Sequence, residues 1–123
     1  MHFLNGDEIQ SSFDKINKWL LPGGKLFFSA ITPYHFTLRD HFLPIYNKRR
    51  LANDPWPGRV DENKSLAGDL APDVPDSIQV FDIPQLKELV PKHGFKIEKI
   101  KLYDYQSNDS NGKGHVGFVA VKE

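Results

Sequence analysis

The chain has no cysteine, which excludes a disulfide framework and any thiolate-held metal site. That composition suits a reducing compartment, and a cytoplasmic location is expected. Long apolar runs are also missing. The longest are a few residues, far below the roughly 20 needed to span a bilayer, so no membrane partner is expected. Excess charge of one sign is missing too: 16 Lys and Arg balance 16 Asp and Glu. There is no overall field to draw nucleic acid or an acidic surface. Residues 1–10 lack the basic-then-apolar order of a signal peptide. No internal repeat and no low-complexity tract occurs. At 123 residues the chain makes one domain at most, around a small core.

What is present alternates between helical and strand signals. Residues 7–21 predict a helix, because Ile9, Phe13, Ile16 and Leu20 share a narrow arc at about 100° per residue. Asp14, Lys15 and Lys18 fall on the other side. Asp7 and Glu8 suit a first turn, and Pro22-Gly23-Gly24 ends the helix and reverses the chain. Residues 25–31 read as a strand apolar on both faces, which predicts cover on both faces. Residues 34–51 are ambiguous: Leu38, Phe42, Ile45 and Tyr46 have helical spacing, but Pro44 lies among them. The nine prolines concentrate in the middle of the chain. Residues 53–77 therefore read as a long loop of a functional or mobile kind.

A second helix is expected over 82–93, with Asp82 as N-cap, Gln85 completing a capping-box pair, and Phe81 stapling onto Leu86. His93-Gly94 supplies a left-handed stop, although Pro91 fits the last turn poorly. Residues 95–105 predict a strand broken by Glu98-Lys99, which suggests a bulge, and its lysines suit an edge. The polar loop 107–114 leads into a last strand, 115–122, apolar on both faces as an interior strand is. The last two strands form a hairpin.

The stretch Pro22-Gly23-Gly24-Lys25-Leu26 resembles the turn before the fifth strand of class I S-adenosylmethionine-dependent methyltransferases. Lys92-His93-Gly94-Phe95 is similar to that family's Ala-Gly-Phe entry into the sixth strand, and His2-Phe3-Leu4 resembles the segment after the fourth. The three occur in the family's order. The resemblance implies the carboxyl-terminal half of a Rossmann-like methyltransferase domain: one partial α/β domain over 1–123, with an irregular insert at about 34–77. It implies a three-stranded mixed sheet in the order 25–31, 115–122, 95–105, with two or three helices. The cofactor implied is S-adenosylmethionine. The Gly-x-Gly-x-Gly turn that grips it has no counterpart here, since Gly23-Gly24 and Gly112-Lys113-Gly114 lead into strands rather than helices. Weak or no binding by this chain alone is therefore expected.

Methyl transfer needs an acceptor placed in line with the sulfonium methyl, and in some cases a base. In the family, acceptor contacts come from loops after the fourth and fifth strands. By that resemblance His35 and Tyr34 are the catalytic or acceptor-contact candidates, and His2, Phe3 and Leu4 the edge of the cofactor pocket. The alternative is that these are ordinary loop side chains. His41, His93 and His115 show no metal-ligand spacing. Ser29 lacks a nucleophile elbow. Lys48-Arg49-Arg50 reads as a solvated helix end, and Trp56 as an anchor for its loop or a cover over a substrate opening. The methyl acceptor is not legible. If strand 25–31 lacks its fourth-strand neighbour, its open edge predicts a homo-oligomer. A non-catalytic binding or assembly module is the alternative function.

Overall fold

The computed structural model describes residues 1–61, 77–105 and 109–123. Helix α1 spans Gly6–Trp19 and begins at a capping box. The Asn5 side chain accepts from the Glu8 amide, and the Glu8 carboxylate accepts from the Asn5 amide. Ile9 and Phe13 are fully buried. The helix stops one turn short of Pro22, and the Lys122 ammonium donates to the Asn17 and Leu20 carbonyls at 2.6 and 2.8 Å. A cation there satisfies orphan carbonyls and suits the negative end of the helix dipole. Asp14 does not simply face water: its carboxylate lies 2.7 Å from His93 Nδ1.

Gly23 adopts a left-handed conformation (φ 83°) and its amide donates to the Lys122 carbonyl, which joins the turn to the sheet. Strand β1 follows at Lys25–Ile31. The next helix, α2, is Leu43–Leu51, with Pro44 in its first turn. A proline there loses no helical hydrogen bond, which resolves the ambiguity of 34–51. Strands β2 (Arg59–Val60) and β3 (Ile78–Gln79) pair antiparallel, so the expected loop holds a small second sheet. Residues 62–76 of that loop lie outside the described residues. Helix α3 is Ile83–Leu89, followed by a 3-10 turn at Pro91–His93 and a left-handed Gly94. Pro91 thus ends the α-helix early. Strands β4 (Phe95–Tyr103) and β5 (His115–Lys122) close the chain.

The main sheet has the order β1-β5-β4. Both pairings are antiparallel, so the sheet is not mixed. The strands that run parallel to each other, β1 and β4, are kept apart by β5 between them. The register slips between Ile97 and Lys99, at the expected bulge. Beneath the sheet, Phe28 stacks on Phe118 (4.9 Å) and meets Phe13 and Phe81. A second cluster of Leu38, Phe42, Tyr46, Val60, Ile78 and Val80 unites α2 with the small sheet.

Among the described residues, cover on the second face of β1 is not found. Registers Lys25–Val121, Phe27–Val119 and Ser29–Gly117 share the opposite face, where Phe27 is 73 % exposed. Lys96, Lys99 and Lys101 extend that face on β4. The Lys25–Glu98 ion pair (3.1 Å) crosses it, and the Tyr103 hydroxyl reaches Ser29 over Gly117. Among the described residues, no hydrogen bond reaches the outward backbone groups of Lys25, Phe27 and Ser29.

Candidate functional site

Three segments meet at the carboxyl end of β1. The Ile31 amide donates to His2 Nε2 at 2.8 Å, the Phe81 amide donates to the Ile31 carbonyl at 3.0 Å, and the Gln79 amide donates to the His2 carbonyl at 2.6 Å. Burial, aided by the nearby Met1 ammonium and His115, lowers the His2 pKa to about 4. Its ring is therefore neutral at pH 7, as an acceptor nitrogen must be. His2 thus ties the amino-terminal segment to β1 rather than presenting a free Nε2. Phe3 stands exposed beside it, and Leu4 packs on the main core.

Beyond β1, Thr32 is fully buried. Its hydroxyl donates to the Lys113 carbonyl at 2.5 Å and accepts from the Tyr34 amide at 3.1 Å. This sets the loop so that the Tyr34 hydroxyl reaches the Asp82 carboxylate at 2.7 Å. The Tyr46 hydroxyl, from α2, donates to the same oxygen at 2.6 Å, and the second oxygen accepts the Ile83 amide at 2.8 Å. Asp82 is only 3 % exposed. The expected N-cap is therefore real, but its carboxylate also clamps two tyrosines. Burial, then the hydrogen bond to Asp82 and its charge, pushes the Tyr34 pKa up to about 12, against Arg50. The same causes raise Tyr46 further. Both hydroxyls therefore stay protonated at neutral pH as donors to Asp82, which fixes the loop that carries Tyr34.

Gln85 does not complete the capping box. Both its amide atoms are buried and have no partner among the described residues. The Asp82 carboxylate bonds the Ile83 amide, at the first helical position, instead of the Gln85 amide at the third.

His35 sits half-buried at the neighbouring corner. Its Nδ1 is 2.7 Å from the Thr37 hydroxyl and accepts the Thr37 amide at 3.3 Å. An accepting Nδ1 places the neutral ring's proton on Nε2, which has no hydrogen-bond partner among the described residues. Burial, then His115, lowers the His35 pKa, while Asp104 opposes. The His115 ring lies edge-on at 5.6 Å and stacks on Tyr103 at 5.5 Å. Asp104 organises the hairpin loop by accepting the Ser110, Gly112 and Gly114 amides. Burial alone would raise its pKa, but those three N–H groups and His115 bring it below the usual carboxylate value.

The structure thus brings His35 close to His115 and Tyr34 close to Asp82 and Tyr46. A contact between side chains 36 or 80 positions apart leaves no periodic signal. Trp56 anchors its loop on α1: a Cβ on Gly6 would lie 2.3 Å from the indole nitrogen. Arg49 and Arg50 are not a plain solvated helix end. Arg49 donates to the Arg59 carbonyl, and the Arg50 guanidinium lies 5.7 Å from the Tyr46 ring centre. Ser29 bonds Tyr103. Among the described residues no group of histidine and acidic side chains is placed to hold a metal ion, and no helix is long and apolar enough to cross a membrane.

Comparison with protein-family profiles, curated proteins and solved structures finds no match to this chain.

Proposed function

We propose that this chain is the carboxyl-terminal portion of a class I S-adenosylmethionine-dependent methyltransferase and contributes acceptor-side residues to methyl transfer. The observation that carries this reading is the position of β5. The last strand is inserted antiparallel between β1 and β4, which run parallel to each other, as the family's seventh strand lies between its fifth and sixth. The bare sheet face around Phe27 and the open edge of β1 are where the other half of such a domain would pack. Ligands of open α/β sheets sit at strand carboxyl ends, and there His2, Phe3, Tyr34 and His35 gather.

Within this reading the cofactor's sulfonium supplies the methyl group, and the described residues supply an edge of its site. Exposed Phe3 offers an apolar face beside His2. No described glycine turn opens a helix, so this chain alone holds the cofactor weakly or not at all. His35 donates from Nε2 to orient the acceptor, a role that its tautomer suits better than proton abstraction. Tyr34, held by Asp82, fixes the loop that carries His35.

Calorimetry with S-adenosylhomocysteine tests this, on the chain alone and joined to a methyltransferase amino-terminal half carrying the glycine turn. Saturable one-to-one binding only by the joined protein is expected. Its absence there would overturn the assignment. In the active joined protein, His35→Ala should lower turnover more than cofactor affinity. A second reading, a non-catalytic assembly module, is favoured by the open β1 edge, and a joined protein that assembles but binds no cofactor would select it.

A further inference from the structure

The outer edge of β1 is open over a short run with a stop at each end. Lys25, Phe27 and Ser29 turn their amides and carbonyls away from β5, and among the described residues nothing bonds to them. Ile31 closes one end: its amide donates to His2 and its carbonyl accepts from Phe81. At the other end the chain leaves the sheet at Gly23-Gly24, where Gly23 is left-handed and its amide is taken by the Lys122 carbonyl. A row of free strand groups is a template for another strand, and the two stops limit which strand fits.

A second copy of β1 fits in one register. In an antiparallel pair, residues directly opposite can exchange both backbone hydrogen bonds. Centred on Phe27, the pair sets Phe27 of one copy against Phe27 of the other, and Lys25 against Ser29. All three residues of each copy then exchange both groups. A shift by two residues sets Ser29 against Gly23, or Lys25 against Ile31, whose amides are already used. The ends also match, because the second copy leaves the sheet at its glycine turn where His2 lies beside Ile31, and the space around Gly23 is open. Lys25, already paired with Glu98, meets a neutral Ser29 instead of a like charge. A parallel two-fold pair would put the bare faces on opposite sides of the sheet and leave each Phe27 alone. The antiparallel pair puts them on one side, with the exposed Phe27 rings as cross-strand neighbours.

We propose that the chain pairs with a second copy of itself through β1, antiparallel and centred on Phe27. The product is one continuous sheet in the order β4-β5-β1 then β1-β5-β4. This deepens the assembly-module reading by fixing which residues face which.

Because the chain has no cysteine, single-cysteine variants read the register directly. Opposite Cα atoms of such a pair lie about 5.5 Å apart, within disulfide reach. With oxidised glutathione as oxidant, Phe27→Cys should cross-link to itself. Lys25→Cys and Ser29→Cys should cross-link when mixed and not alone, since each lies about 13 Å along the strand from its own copy. Phe27→Pro removes only an outward amide donor. It should unfold cooperatively in urea and associate at least about tenfold more weakly by light scattering. The mixed pair keeps Phe27, so that arm reads the register whether or not Phe27→Pro folds. Self-cross-linking of Lys25→Cys or Ser29→Cys as readily as the mixture, no cross-link in the mixture, or a Phe27→Pro that pairs as tightly as the parent chain would each overturn the proposal. The assay uses the chain alone and no cofactor. Its failure leaves the methyltransferase reading standing, and failure of the S-adenosylhomocysteine test leaves the pairing.

Discussion

The Tyr46 hydroxyl donates to the Asp82 carboxylate at 2.6 Å, so α2 is fastened to the first turn of α3. Tyr34 shares the same oxygen. One buried carboxylate thereby holds together α2, the loop after β1 and the start of α3. Removing it leaves two tyrosine hydroxyls and the Ile83 amide without their partner. Asp82→Ala should therefore destabilise the chain by about 3 kcal/mol in urea unfolding, and Tyr34→Phe by about 1 kcal/mol. Equal, small effects of the two substitutions would show that the cluster does not bind these elements together.

Acid stability should follow His2. Its pKa is lowered from 6.5 to about 4 in the folded chain, so as pH falls the unfolded chain takes up the proton first. The contribution is complete above pH 6.5 and is lost progressively between 6.5 and about 4. His35, lowered in the same direction, adds to the slope. His2→Gln keeps an acceptor for the Ile31 amide and cannot titrate, so its stability should depend less on pH across that window. An unchanged slope would place the titrating group elsewhere. At the alkaline end, absorbance titration should show two of the four tyrosines ionising only well above pH 10.

Gly6→Ala should separate Trp56 from α1. The added methyl would sit 2.3 Å from the indole nitrogen, and the ring is held by its loop. A loss of about 1–3 kcal/mol is expected, with tryptophan emission shifted toward that of exposed indole. Unchanged emission would mean that Trp56 is not packed there.

Self-association should run through β1. The outward backbone groups of Lys25, Phe27 and Ser29 have no hydrogen-bond partner among the described residues, and such an edge templates pairing with another chain. Light scattering over a dilution series should show a dimer that Phe27→Lys dissociates. A monomer at high concentration would refute this.

The local order of the chain was legible from its side chains. Apolar spacing at Ile9 and Phe13 marked α1, Pro22-Gly23-Gly24 marked its end, and Glu98-Lys99 marked the bulge, because each depends on near neighbours along the chain. The central place of β5 was also legible, since Val116-Gly117-Phe118-Val119 has no polar face to turn to water. Pro44 left 34–51 ambiguous because its effect depends on whether it lies in the first turn or the interior of a helix, which the packing of Phe42 and Tyr46 decides. The double role of Asp82, the pairing of His35 with His115 and the stranded amide of Gln85 were decided by tertiary structure. Each depends on how segments far apart in the chain pack against one another, and no local pattern encodes that packing. The uncovered face beneath Phe27 belongs to the same class: apolar residues announce that a surface seeks cover, but only the packed fold shows which surface is left without it.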